Sequence, residues 1–115
     1  VIGTVRNLEY ADTIKNDIET YLGRPIDIEF VKADLNSEDG WEDAVIDSEA
    51  ILHTASPFPS KRPKNENDLI VPAKEGTIRV LKAALNHSVK RVIITSSNAA
   101  VYDGNRHITE FDENI

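Results

Sequence analysis

The stretch Arg91-Val92-Ile93-Ile94-Thr95-Ser96-Ser97-Asn98 limits the fold more than any other in this chain. Val92 to Thr95 are four consecutive β-favouring residues with no polar alternation, the pattern of a strand covered on both faces. The run then enters a cluster of hydroxyls. In open α/β sheets ligands sit just beyond the carboxyl ends of strands, so Ser96 and Ser97 fall where chemistry is expected. The alternative is an ordinary turn, because serine often starts loops.

The preceding segments repeat one alternation. Val1 to Val5 is short and β-branched, a strand ended by Arg6-Asn7. Leu8, Ala11, Ile14, Ile18 and Leu22 draw a helical stripe over 8–22, closed by Gly23 at a C-cap position and by Pro25. Ile26, Ile28 and Phe30 alternate with Asp27 and Glu29, giving a strand over 26–31. Ser37 is suited to cap a short helix, with Glu38 and Asp39 in its first turn and Trp41, Ala44 and Val45 on its buried side. Ala50 to Ser56 is the next strand. Pro57 to Asn67 holds three of the five prolines and reads as a loop. Asp68 then caps a helix with Ile70, Ala73, Thr77, Leu81 and Leu85 as its core stripe and Pro72 in or near the first turn. After Tyr102 the chain turns polar and irregular. Strand, helix, strand, helix, strand, helix, strand predicts parallel strands with right-handed crossovers, an α/β chain of Rossmann-like, doubly wound type.

Composition narrows the function. The net charge of −7 opposes nucleic acid and anionic lipid as partners. Lys61-Arg62-Pro63-Lys64 is too short a basic cluster for a nucleic-acid face. No apolar run approaches the roughly 20 residues that span a bilayer. The chain has no cysteine, which suits a reducing, cytoplasmic setting and removes thiolate chemistry. No histidine or carboxylate set has metal-ligand spacing, so no metal is expected. His53, in the middle of an apolar run, reads as a core histidine. The chain also lacks methionine and opens directly in a strand-like run, so residues 1–115 are expected to be an internal piece of a longer polypeptide.

Several residues carry chemistry. Arg6 and Asn7 stand at a strand end where dinucleotide folds select the ribose substituent: an acid there takes the NAD hydroxyls, an arginine the NADP 2′-phosphate. With no acid before Glu9, NADP is favoured and NAD is the alternative. Lys15, two helical turns on, can add charge. Asp34, directly after a strand, suits either an adenine amino group or a turn cap. Ser97 can bond a substrate carbonyl oxygen during hydride transfer, a step that needs a tyrosine with a lysine four residues on. Tyr10, Tyr21 and Tyr102 are followed at that distance by Ile14, Pro25 and Arg106. Nor is there a Gly-x-Gly-x-x-Gly turn.

Taken together, Gly3-Thr4-Val5-Arg6-Asn7, Lys32-Ala33-Asp34-Leu35, His53-Thr54-Ala55-Ser56-Pro57 and Thr95-Ser96-Ser97 with Ala99-Ala100-Val101 resemble the extended short-chain dehydrogenase/reductases (the epimerase/dehydratase superfamily), most closely the dihydroflavonol reductase and cinnamoyl-CoA reductase branch. The resemblance implies Arg6, with Asn7 and Lys15, at the NADP 2′-phosphate. It implies Asp34 and Leu35 at the adenine, and Thr54, Ala55, Ser56 and Thr95 along the rest of the cofactor. Ser97 becomes the catalytic serine, and Pro57, Phe58 and Tyr102 border a small carbonyl or alcohol substrate. The implied activity is NADP-dependent hydride transfer. An NAD-dependent sugar-nucleotide epimerase or dehydratase and a non-catalytic dinucleotide-binding regulator are the alternatives, and a monomer and a homodimer are equally open. The family's phosphate-binding turn and its catalytic Tyr and Lys are absent. The four strands would be numbers 2 to 5 of the family order 3-2-1-4-5-6, which predicts a gap in mid-sheet.

Overall fold

A computed structural model describes residues 1–57 and 63–97. The strands are β1 (Ile2–Val5), β2 (Glu29–Lys32), β3 (Ala50–His53) and β4 (Arg91–Ile94). The helices are α1 (Ala11–Leu22), α2 (Trp41–Val45) and α3 (Asn67–Asn86), and a single 3-10 turn, Leu8–Tyr10, precedes α1. The predicted alternation is therefore observed. β1 pairs in parallel with β2, Ile2 opposite Glu29 through Val5 opposite Lys32. β3 pairs in parallel with β4, Ala50 opposite Arg91 through His53 opposite Ile94. Among the described residues no ladder joins the two pairs. A trough of about 870 Å³ lies between them, lined by Ile2, Gly3 and Thr4 on one side and by Ala50 to Ala55 on the other. The gap expected in mid-sheet is this trough.

α2 and α3 bring the halves together. Trp41, Val45, Val80 and Ala83 form one buried cluster with Ala33 and Leu35, and Ile51 and Val89 pack against it. Trp41 is held at its polar end as well: its indole N–H donates to the carbonyls of Asp34 (3.2 Å) and Ser37 (3.0 Å). A buried indole needs such partners. At the far end of α3, Glu42 accepts from Asn86 Nδ2 at 2.8 Å and lies 2.6 Å from His87 Nε2.

Several boundaries differ from the sequence reading, each for a local reason. The strand expected over 26–31 pairs only from Glu29, because β1 offers no partner earlier than Val1, whose carbonyl takes the Glu29 N–H. Ser37 does not cap α2. Its hydroxyl accepts from the Asp39 N–H at 3.2 Å and shapes a separate turn, and the N-cap is Gly40 at φ 84°. Asp68 lies within α3, where its carboxylate accepts from the Asn65 N–H at 3.2 Å. Pro72 is correspondingly deeper in the helix than expected, in the second turn, and has no N–H to give the Asp68 carbonyl. The buried face of α3 is Gly76, Val80, Ala83 and Ala84. Ile70, Leu81 and Leu85 of the expected stripe are exposed, Leu85 at 79%. The small residues face inward because they let the helix backbone come close to Leu35. Likewise β4 is a strand, but Ile93 is 51% exposed, since no described element covers that face.

Candidate functional site

The carboxyl ends of β1, β2 and β3 meet at one rim. There a second pocket, of about 490 Å³, is lined by Thr4 and Arg6 after β1, Ala33, Asp34, Leu35 and Asn36 after β2, and Ala55, Ser56 and Pro57 after β3. Trp41 and, from α3, Asp68 and Pro72 close it. Strands that share a direction deliver their following loops to one edge, which is why residues from three separate segments converge here.

Arg6 is exposed, and its guanidinium has no hydrogen bond or ion pair among the described residues. It is available to an anion. Asp34 caps its turn, the second of the two roles considered for it. One oxygen, Oδ1, accepts from the Asn36 N–H at 2.9 Å and from Asn36 Nδ2 at 3.2 Å, which fixes the turn, while the residue still lines the pocket. Leu35 and Pro72 add apolar wall. A cation at one side, a carboxylate at another and an apolar surface between them fit the adenosine 2′-phosphate end of a dinucleotide. Among the described residues no group of three or more potential metal ligands occurs, and no helix is long and apolar enough to cross a membrane.

Of the residues singled out in the sequence, Arg6, Asp34, Leu35, Ala55, Ser56 and Pro57 come together in this pocket. Asn7 does not line it. Its side chain accepts from the Glu9 N–H at 3.1 Å and donates to the Glu9 carboxylate at 2.8 Å, capping the 3-10 turn. Lys15 is half-buried on α1 and outside the pocket. Thr54 lines the trough instead. The Thr95 N–H donates to the His53 carbonyl at 3.0 Å and continues the β3–β4 ladder. Ser97 is exposed, three positions beyond β4 and outside the pocket lining. Phe58 and Tyr102 lie outside the described residues.

His53 is a core residue as expected, 7% exposed at the wall of the trough. Burial pushes its pKa below the ordinary value, so the ring is neutral at pH 7. Sequence reasoning missed Asn36 and treated Asp68 and Pro72 only as helix punctuation.

These elements define the class first. Parallel strands, helical crossovers and a pocket at the strand ends make a Rossmann-like α/β fold. The solved structures agree. The chain superposes on yeast methylglyoxal/isovaleraldehyde reductase complexed with NADPH with a TM-score of 0.68 and 32% identity, covering 90% of this chain and 32% of that one. A Citrobacter triphenylmethane reductase complexed with NADP(H) matches at TM-score 0.56 and 23% identity, over 83% of this chain and 27% of that one, and shares the fold.

The family model for the 3-beta hydroxysteroid dehydrogenase/isomerase family matches residues 3–115, and the chain belongs to that family. Among curated relatives, Arabidopsis thaliana anthocyanidin reductase is 49% identical over 76 residues, 65% of this chain and 22% of that protein. A putative NADPH-dependent methylglyoxal reductase of Candida albicans is 37% identical over 108 residues, 88% of this chain and 31% of that protein. The chain thus spans between about a fifth and a third of the length of these relatives.

Proposed function

We propose that the intact protein is an NADP-dependent oxidoreductase that moves a hydride between the nicotinamide and a small carbonyl or alcohol substrate. The observation that carries this reading is the unpaired Arg6 guanidinium on the rim of the pocket that Asp34 and Leu35 line. Arg6 would hold the 2′-phosphate by charge-assisted hydrogen bonds. The second Asp34 oxygen, Oδ2, would accept from the adenine amino group, with Leu35 and Pro72 against the ring. Thr54, Ala55 and Ser56 would run along the remainder of the cofactor, and the Ser97 hydroxyl would donate a hydrogen bond to the substrate carbonyl oxygen. The bound cofactor supplies the hydride. Relatives named as NADPH-dependent or solved with NADPH support the same choice of nucleotide.

Residues 1–115 belong, on this reading, to one dinucleotide-binding domain, and a further parallel strand lies in the trough between β1 and β3. Both flanking strands point their carboxyl ends to the same rim, so one strand can complete both open edges.

The test is a fluorescence titration of the intact protein with NADPH and NADH, beside Arg6→Ser. The wild type should prefer NADPH. Arg6→Ser should lose about 10- to 100-fold in NADPH affinity, as removal of a charged hydrogen-bonding partner implies, and little in NADH affinity. Equal affinities in the wild type would refute the assignment. Full turnover by Ser97→Ala would remove the serine from the mechanism.

A further inference from the structure

We propose that Arg79 is a positioning residue for the pocket: it never reaches the ligand but fixes the wall that does. The inference rests on the reading of that pocket as a nucleotide site. The wall is the loop between β2 and α2, which contributes Asp34, Leu35 and Asn36 to the lining. Its carbonyl groups are tied down by side-chain donors. Trp41 takes those of Asp34 and Ser37. The carbonyl of Leu35, between them, is taken by Arg79 Nη1 at 2.8 Å, from a residue 44 positions along the chain. Arg79 Nε also meets Glu38 Oε1 at 2.6 Å.

Three features make Arg79 more than a surface ion pair. Its side chain is only 18% exposed, whereas that of Glu38 is 74% exposed. The guanidinium fork serves two acceptors on the same loop at once, a geometry that lysine cannot copy. Gly76, one turn earlier on α3, has no side chain, so the helix backbone lies against Leu35 and brings Arg79 within reach. Asp34 and Leu35 are adjacent in the chain. The Asp34 carbonyl held by Trp41 and the Leu35 carbonyl held by Arg79 belong to the two peptide units that flank Leu35, so the two bonds together fix the backbone from Asp34 to Asn36 that lines the pocket. The exposed pair with Glu38 is worth little in water, so the bond to the Leu35 carbonyl is the part that matters.

The experiment uses the intact protein and three variants, Arg79→Gln, Arg79→Lys and Glu38→Gln. Two quantities are read: amide hydrogen exchange over residues 34–39 without nucleotide, and the NADPH dissociation constant. Arg79→Gln should speed exchange in that loop but not in β3 or β4, and should weaken NADPH roughly fivefold to tenfold, less than the direct loss of a charged hydrogen bond to the ligand would. Arg79→Lys should recover part of both effects, and Glu38→Gln should leave NADPH binding near wild type. Faster exchange throughout the protein, or unchanged loop exchange and NADPH affinity in Arg79→Gln, would overturn the proposal. A wild type that binds no NADPH, with the local exchange change still present, would support the strut and overturn the nucleotide reading.

Discussion

Gly76→Ala sets two effects of known size against each other. In a helix interior alanine is favoured over glycine by about 1 kcal/mol, so propensity alone predicts a more stable protein. The structure predicts the opposite. A Cβ at position 76 would stand 2.8 Å from Leu35 Cβ, 3.0 Å from Leu35 Cδ2 and 3.2 Å from the Leu35 carbonyl oxygen. Only the Cδ2 can rotate aside; the other two atoms are fixed to the backbone. α3 or the loop must yield, and overpacking of this kind costs about 1–3 kcal/mol. With two of three contacts immovable, the upper part of that range applies. The net result is a loss of about 2 kcal/mol after the propensity gain. Urea unfolding of the intact protein, followed by far-ultraviolet circular dichroism, measures this. A slope of about 2 kcal/mol/M places the midpoint roughly 1 M lower. Lys74→Ala, exposed on the same helix, should shift it little. A Gly76→Ala midpoint equal to or above wild type would refute the close approach of α3 to Leu35, and the reach of Arg79 with it.

Two further outcomes follow from the same coordinates. Gly40→Ala places a side chain at φ 84° and drives its Cβ into the Lys32 carbonyl oxygen, so it should cost about 3 kcal/mol and lower the urea midpoint further than Gly76→Ala does; an unchanged midpoint would contradict the left-handed N-cap. His53 has a pKa lowered by burial from its ordinary value of 6.5, so below that pH the unfolded chain binds a proton that the folded protein resists. Stability should therefore be intact above about pH 6.5 and fall as the solution is acidified past it, and His53→Gln should flatten that part of a melting-temperature profile; an identical slope in the variant would assign the pH dependence elsewhere.

How far the sequence was legible depends on the range over which each signal acts. β-branched runs and helical stripes are local, and the order of strands and helices could be read from them. Gly23, at φ 65° after α1, was legible for the same reason, because a left-handed residue two positions before a proline is a purely local stop. The inward face of α3 was not. Its sequence carries two plausible faces, and the choice between Leu81 and Gly76 depends on Leu35, far away in the chain. Arg6, Asp34 and Ser56 could be assembled because each lies within three residues of the end of a strand. Asp68 and Asn36 could not, since their place in the pocket depends on where α3 and the Asp34 turn come to rest. Arg79 carried no motif at all. Its role is visible only from the 2.8 Å bond to a carbonyl from a different part of the chain.

The trough has a consequence for how such a polypeptide behaves in company. Without the strand proposed to fill it, β1 and β3 would each present an open row of N–H and C=O groups, templates on which any extended neighbour can stack, and stacked edges seed fibrils. Asp47 and Glu49 are among the residues that line the trough, and residues 1–115 carry a net negative charge. Like charges repel an identical molecule as it draws near, so acidity here acts as a guard against self-stacking.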